Sequence, residues 1–218
     1  MSNGASAAEI TLGLAGDGLP HEGVWDQQIN IDSNSAALGP ETYEVTSFTY
    51  KKYSGADANG YIRPFLAVRN SAAVYTVVWV GQQLFGPHNV GAMTTVSFTG
   101  ETFTLATPAQ VHAGVAFKGT TSGSFGLSAI YTDQTPDPNH GTSCYAPVSE
   151  EPNSVGVVLN SWSSCPYDYE ANFAITIEPS SGGAGGDPRK YATKILIERN
   201  LIWETGRVSH SFACFLSN

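Results

Sequence analysis

The sequence predicts an all-β protein, an antiparallel β-sandwich of jelly-roll type followed by a C-terminal tail. Apolar and polar residues alternate in many segments, most clearly from residue 98 to residue 131, as in strands with one packed face and one wet face. Gly, Pro and Thr recur every eight to twelve positions, where tight turns are expected. A chain of 218 residues is long enough for one sandwich, so we expect one main domain rather than two.

The first half of the chain supplies the first strands. Residues 1–8 are expected to be disordered, and EITLGLA is predicted as the first strand, followed by a loop and a short strand at QQINID. Residues 41–53 give the clearest strand. Its two predicted faces are Tyr43, Val45, Ser47, Thr49 and Lys51 on one side and Thr42, Glu44, Thr46, Phe48, Tyr50 and Lys52 on the other.

The next segments continue the strand pattern. YIRPFLAVRN contains Pro64, which has no amide donor, so an edge position or an early bulge is expected. AVYTVVWVG is nearly continuously apolar, which is typical of a strand in the interior of a sandwich. Further strands are predicted at TTVSFTG, TFTLAT, VHAGVAFKG, FGLSAIYTD and YEANFAITIEP, with a Pro-, Asn- and Ser-rich excursion between residues 134 and 166.

The composition divides the chain at its C-terminal end. We expect a sandwich domain over residues 9–179, a flexible Gly/Ser linker over 180–188 and a basic, apolar tail over 189–218. Within the tail, KILIERNLIW fits a short helix or an extra strand, because the apolar run is too short to decide. Such a tail could cover an edge of its own sheet or add a strand to a neighbouring subunit.

Charge limits the classes of partner. Charged residues make up 13% of the chain, against roughly 25% in ordinary soluble domains, which suits extracellular life or packing against copies of the same protein. The formal net charge is −9, and five of the ten basic residues lie in the last thirty positions. An acidic body would repel a phosphate backbone, so nucleic acid is not expected as a partner.

Targeting features are absent from the sequence pattern. No window of eighteen apolar residues exists, so no membrane span is expected. The segment MSNGASAAEITLGLAG has neither the basic nor the apolar region of a signal peptide. Either the protein is not exported by that route, or the chain is the mature form with an added Met. We favour the second interpretation, which locates the protein outside the cell or on its surface.

Two of the three cysteines, Cys144 and Cys165, flank a loop-rich stretch. A disulfide between them would close a loop of about twenty residues and contribute about 3 kcal/mol. Two free thiols in a reducing compartment are the alternative. Cys214 is left over and fits a small buried residue or an intermolecular partner.

One loop offers hard oxygen ligands. Asp133, Asp137 and Asn139 in DQTPDPN are of the types that calcium prefers, so this loop is a candidate calcium site, although the same residues are ordinary turn formers. No other cofactor is indicated.

Aromatic residues in or beside the predicted loops are candidates for ligand binding, because a flat ring stacks on the apolar face of a sugar and a phenol hydroxyl bonds its rim. The densest cluster, SWSSCPYDY, would equally fit a loop collapsed on the core. The candidates are Trp25, Tyr53, Tyr61, Tyr145, Trp162, Tyr167 and Tyr169.

No nucleophile elbow, phosphate loop or zinc-ligand spacing appears, so no catalytic residue is assigned. A jelly-roll hydrolase or lyase acting on polysaccharide needs two converging carboxylates. Glu44, Glu101 and Glu170 are the strand-borne candidates, and each also fits a solvated strand position.

The succession ETYEVTSFTYKKYSG, YIRPFLAV, FTLATPAQVHAGVAF and YEANFAITIEP, over residues 41–178, resembles non-catalytic β-sandwich domains of secreted and cell-surface bacterial proteins. The resemblance implies a surface binding or structural role. We therefore expect a non-enzymatic extracellular protein that acts by self-assembly or by binding glycans, with copies of itself and surface glycans as partners. The alternatives are the polysaccharide enzyme described above and a single jelly-roll capsid or decoration protein of a virus.

Overall fold

The structure is a computed structural model that describes residues 8–16, 20–25, 28–53, 59–71, 73–119, 126–131, 144–147, 151–160 and 169–180. The chain divides into two units, Met1–Gly183 and Ala184–Asn218, and every described residue belongs to the first. The predicted tail, nearly all of the linker and residues 1–7 lie outside the described residues, so these predictions remain predictions.

The described residues form strands and no helix, which confirms the all-β class. In the same ranges no helix is found that is long and apolar enough to cross a membrane. The strands are β1 (Ile10–Leu14), β2 (Pro20–Trp25), β3 (Gln28–Leu38), β4 (Thr42–Lys51), β5 (Gly60–Ser71), β6 (Val74–Val80), β7 (Leu84–Phe85), β8 (Met93–Ser97), β9 (Thr102–Thr104), β10 (Ala109–Gly119), β11 (Gly126–Tyr131), β12 (Cys144–Pro147), β13 (Val158–Leu159), β14 (Tyr169–Ala171) and β15 (Phe173–Pro179).

The strand order is that of a jelly roll. The first sheet has the order β1-β15-β4-β8, with β9 continuing the β8 edge along β4, and the second contains the order β3-β10-β5-β6. Of the eight strands in these two runs, the first therefore pairs with the last, the second with the seventh, the third with the sixth and the fourth with the fifth. An antiparallel ribbon wrapped around a core gives this nested pairing, which confirms the predicted β-sandwich.

Smaller strands extend this framework. Strands β12 and β13 lengthen the second sheet at its two ends, β7 pairs with the start of β5, and β14-β11-β2 forms a separate three-stranded sheet. The second sheet is consequently wider than the first, with seven strands against five.

The middle of the second sheet is buried on both faces. Its inner face packs against the first sheet in the main core, which includes Val115, Phe117 and Ile175. Its outer face carries a second apolar cluster that includes Phe65, Tyr75 and Leu159. This double burial explains why the β6 and β10 segments are nearly continuously apolar rather than alternating.

The predicted faces of residues 41–53 are wrong after Val45. Val45 and Phe48 are both fully buried, although strict alternation would place them on opposite faces. The register against β15 shifts at this point, since Ile177 pairs with Val45 and Thr176 with Ser47. Thr46 is the extra residue of a β-bulge, and its Oγ1 hydroxyl donates to the carbonyl of Thr176 at 3.2 Å.

Of the two expectations for Pro64, the edge position is wrong, while the ladder from β5 to β6 does contain an irregularity just after it, between Leu66 and Ala67. β5 lies between β10 and β6, in the middle of the second sheet. The Pro64 carbonyl accepts from the amide of Gly81 at 2.9 Å, so the nitrogen that lacks a hydrogen faces the end of β6 rather than the β10 ladder. A proline is tolerated in a central strand here because the neighbouring strand ends beside it.

The strand predicted at QQINID is longer than expected. β3 continues to Leu38 through SNSAAL, a segment that the composition favoured as a loop. The ladder to β10 is irregular between His112 and Gly114, and the Asn34 amide donates to Oδ1 of Asp32 at 2.6 Å. A local Asx-type bond thus accommodates polar residues inside a long strand.

Candidate functional site

Six side chains form a surface cluster at one end of the second sheet, which we call the Phe85 patch. The β-ladders place Phe85 opposite Tyr61 and Tyr61 opposite Lys118, so these three residues make one row across β7, β5 and β10. Side chains directly opposite on neighbouring strands share a face. The patch consists of Tyr61, Arg63, Gln83, Phe85, Lys118 and Glu151.

One carboxylate oxygen organises the polar part of the patch. Oε1 of Glu151 accepts from Nη1 of Arg63 at 2.7 Å, from the hydroxyl of Tyr61 at 3.1 Å and from Nε2 of Gln83 at 3.1 Å. Three donors on one oxygen fix the loop that carries Glu151 against the sheet. Burial and the nearby Glu151 charge raise the pKa of Tyr61 to about 12, so its phenol remains a proton donor.

Two hydrogen-bonding groups of the network are not used within it. Oε2 of Glu151 and the Nη2 group of Arg63 make no hydrogen bond within the described part of the chain. The two side chains are 30% and 15% exposed, so a ligand could reach both. They offer an acceptor and a donor side by side, which suits neighbouring hydroxyl groups.

Phe85 supplies an apolar surface beside these groups. Its side chain is 72% exposed, the largest value among the exposed large hydrophobic residues of the described chain. The Tyr61 ring contacts it edge-on, with ring centroids 6.3 Å apart. Because Tyr61 is itself held by Glu151, the exposed ring is supported by a fixed neighbour, and less conformational freedom is lost on binding.

A second cluster of titratable groups is buried and structural. The Tyr50 hydroxyl donates to Nδ1 of His88 at 2.8 Å, and Nε2–H of His88 donates to the carbonyl of Gly60 at 3.3 Å. These bonds tie the end of β4 to the start of β5 and to the turn after β7. Burial lowers the pKa of His88, and the charge of Lys52 lowers it further, while the bond to Gly60 acts in the opposite direction.

His112 lies in a third buried position, on the outer face of β10. Nδ1–H donates to the carbonyl of Asp32 at 2.9 Å, and the ring meets Tyr75 edge-on at 5.3 Å. Nε2 has no hydrogen-bond partner among the described residues. Burial lowers the pKa of His112, assisted by the charge of Arg69 and opposed by the bond to Asp32.

The structure describes the backbone positions of five of the seven sequence-predicted aromatic residues. Tyr61 belongs to the Phe85 patch, and Tyr53 follows β4. Trp25, Tyr145 and Tyr169 lie at strand positions in β2, β12 and β14. Trp162 and Tyr167 fall outside the described residues, so their predicted role in ligand binding remains a prediction.

Of the residues in the predicted calcium site and disulfide, the structure describes only Cys144. Asp133, Asp137 and Asn139 lie outside the described residues, and no group of three or more metal-binding side chains occurs in the described ranges. Cys144 lies in β12 opposite Ile31, but Cys165 is outside the described residues. The calcium site and the disulfide therefore stay predictions.

The candidate carboxylates of the enzyme alternative serve local structure. Oε1 of Glu44 accepts from the amide of Gly100 at 3.3 Å, and Oε2 of Glu101 accepts from Nε1 of Trp79 at 3.3 Å. Glu44 also pairs directly with Glu178 across the ladder to β15. Glu44 fits the expected alternative of a solvated strand residue, whereas Glu101 lies just before β9 rather than in a strand. Glu170 lies in β14 opposite Ile130.

Sequence reasoning missed Phe85, the most exposed ring of the patch. Its signal was available: an aromatic residue directly before the Gly86-Pro87 turn, in a segment too short to bury it. Arg63, Gln83, Lys118 and Glu151 carried no signal, because they come from separate strands and loops that only the fold brings together.

The comparisons with known proteins identify no family. No family model matches this chain, and no curated protein matches it. Among solved structures, a chain of the structure of infectious bursal disease virus, Gt strain, matches with 13% sequence identity and a TM-score of 0.37. The match covers 90% of this chain and 50% of that chain, so this chain spans about half the length of the viral one. A structural likeness at this level carries no argument about function.

Proposed function

We propose that this protein is a non-enzymatic surface protein that binds glycans, with the Phe85 patch as its binding site. The observation that carries the proposal is the exposed Phe85 ring beside the fixed network of Arg63, Gln83 and Glu151. A sugar has one apolar C–H face and a rim of hydroxyl groups. An exposed flat ring next to planar polar side chains complements both parts.

The charge of the patch indicates which glycans fit. The chain carries a formal net charge of −9, but the patch holds Arg63 and Lys118 against Glu151 alone. Glu151 pairs with Arg63, whereas Lys118 is exposed and has no ion-pair partner in the described ranges. Lys118 would therefore attract a glycan with a carboxylate or sulfate substituent. We accordingly propose acidic polysaccharides as the preferred class.

The test is binding to a panel of immobilised neutral and acidic polysaccharides. Phe85→Ala is expected to weaken binding at least tenfold, which corresponds to about 1.4 kcal/mol. Val158→Ala, which trims another exposed apolar side chain away from the patch, is the matched control and is expected to bind like the wild type. Equal weakening by both variants would contradict the assignment.

Lys118→Gln separates the charge contribution from stacking. It is expected to weaken the binding of acidic glycans by severalfold and to leave neutral glycans unaffected, with a reduced dependence on salt. Loss of neutral-glycan binding in Lys118→Gln would mean that the side chain has a structural rather than an electrostatic role.

A second candidate function, assembly into a shell or filament, is supported by the jelly-roll order, which is used by viral capsid proteins and by lectin domains alike. The two functions differ in their dependence on the tail. Removing residues 183–218 is expected to leave glycan binding intact, whereas an assembly subunit that uses its tail would lose its large particles. Particle size by light scattering distinguishes these outcomes.

A further inference from the structure

We infer that two copies of this protein pair through the edge strand β8, in a two-fold antiparallel arrangement that joins their first sheets. This pairing does not depend on the glycan site, which belongs to the other sheet. β8 is the last strand of the first sheet, and among the described residues it pairs with β4 alone. No other strand of the described ranges bonds to its outer side, and such an open edge is the usual template for another strand.

The sequence of β8 lacks the features that protect an edge. Met93–Ser97 reads MTTVS and contains no charged residue and no proline. Natural edge strands commonly carry lysine or proline to prevent pairing with another chain. β8 ends only at Ser97, and β9 begins at Thr102, so five residues of this edge remain available.

The backbone directions define which groups face outward. The amide of Phe98 donates to the carbonyl of Thr46 on β4 at 2.8 Å. In an antiparallel strand every second residue directs its amide and carbonyl to the same side. Thr94 and Val96 therefore bond to β4, and Met93, Thr95 and Ser97 present their amides and carbonyls outward.

A two-fold axis between the Thr95 residues of the two copies would pair the outward amides and carbonyls of Met93, Thr95 and Ser97. Thr95 of one copy lies opposite Thr95 of the other, and Met93 lies opposite Ser97 on each side of the axis. Each such pair exchanges two backbone hydrogen bonds. Identical strands meet in this way in isologous dimers, where the same surface patch of both subunits is used.

Charge favours a second copy at this edge. A chain with a formal net charge of −9 repels itself over most approaches, so copies meet best where charge is absent. One row of the outer face that ends at this edge is uncharged, with Thr11, Thr176, Ser47 and Ser97 directly opposite one another across β1, β15, β4 and β8. The same face carries Lys51 opposite Met93, and the two-fold axis places the Lys51 residues of the two copies at opposite ends of the joined strands.

The test is the molar mass of the full chain in solution, measured by light scattering over a range of concentrations. We expect twice the chain mass for the wild type. Thr95→Pro removes the central outward amide and no backbone bond to β4, and Thr95→Lys places two like charges on the axis. Each is expected to raise the dimer dissociation constant at least tenfold. Both variants also lose the hydroxyl bond to Thr49 of β4, so Thr49→Ala, which loses that bond alone, is expected to remain dimeric. Thr11→Lys adds the same charge at the far edge of the same sheet and is expected to remain dimeric.

Each outcome either supports or overturns the proposed dimer. If Thr95→Pro fails to fold by circular dichroism, Thr95→Lys carries the test, because a side chain at this exposed position faces solvent. A monomeric wild type overturns the inference, and so does a dimer that survives Thr95→Lys. A wild-type monomer that dimerises after removal of residues 189–218 would show that the tail occupies the edge, which also overturns the inference.

Discussion

Replacing Gly114 with alanine is expected to lower the free energy of unfolding by about 3 kcal/mol, a large effect for one methyl group. Gly114 lies in the middle of β10, directly opposite Phe65 on β5. The Phe65 ring covers the glycine so closely that an added Cβ would overlap three of its ring carbons. Phe65 is fully buried in the outer cluster, so moving its ring would displace the side chains packed around it.

Chemical denaturation of the wild type and four variants checks this expectation. Gly16→Ala is the control, because no atom lies within 4 Å of the added methyl group, and it is expected to unfold like the wild type. Phe65→Leu alone should destabilise the protein by leaving a cavity. Combined with Gly114→Ala it should cost less than the sum of the two single changes, since the smaller side chain makes room for the methyl. Additive effects would contradict the proposed overlap.

Acidification is the second change with a large expected effect. Two buried histidines bind a proton more weakly in the folded chain than in the unfolded chain, so acid favours unfolding. The pKa values of His88 and His112 are lowered from 6.5 in the folded chain, mainly by burial. Below pH 6.5 the unfolded chain therefore binds more protons than the folded chain. The free energy of unfolding then falls as the pH falls, until the pH is below the folded pKa values.

The groups around the two rings strengthen this trend. Lys52 faces His88 and Arg69 lies near His112, and both positive charges disfavour a second one. Thermal unfolding between pH 7.5 and pH 5 should show a falling midpoint, by about 2–4 °C for each kcal/mol lost. The double variant His88→Gln/His112→Gln should have a lower stability at pH 7.5 and a flatter profile. A profile as steep as that of the wild type would rule out these histidines as the cause.

The fold class followed from the sequence because alternation and turn spacing are local properties. The predicted strand details were wrong where contacts with distant strands determine the backbone arrangement. The bulge at Thr46 brings Val45 and Phe48 to the same face, and its cause is the register against β15, over a hundred residues away in the chain. Pro64 fits a central strand because β6 ends beside it. Neither partner strand is readable from the segment itself.

The candidate site was less accessible from the sequence for the same reason. Tyr61 was identified because aromatic residues near turns are often exposed. Its partners Arg63 and Glu151 are 88 positions apart, and only the packing of residues 151–160 beside β5 and β6 brings them to 2.7 Å. A binding surface built from strand ends and a distant loop leaves no spacing pattern, unlike a metal-binding or nucleophile motif.

The most direct test of the glycan assignment is a structure, by crystallography or by NMR mapping, of the protein with an oligosaccharide from the polysaccharide that it retains most strongly. We predict a sugar ring stacked on Phe85, with hydroxyl groups bonded to Oε2 of Glu151 and to the guanidinium group of Arg63. A sugar bound elsewhere, for instance at residues 161–169, or the retention of no polysaccharide of the panel, would contradict the account.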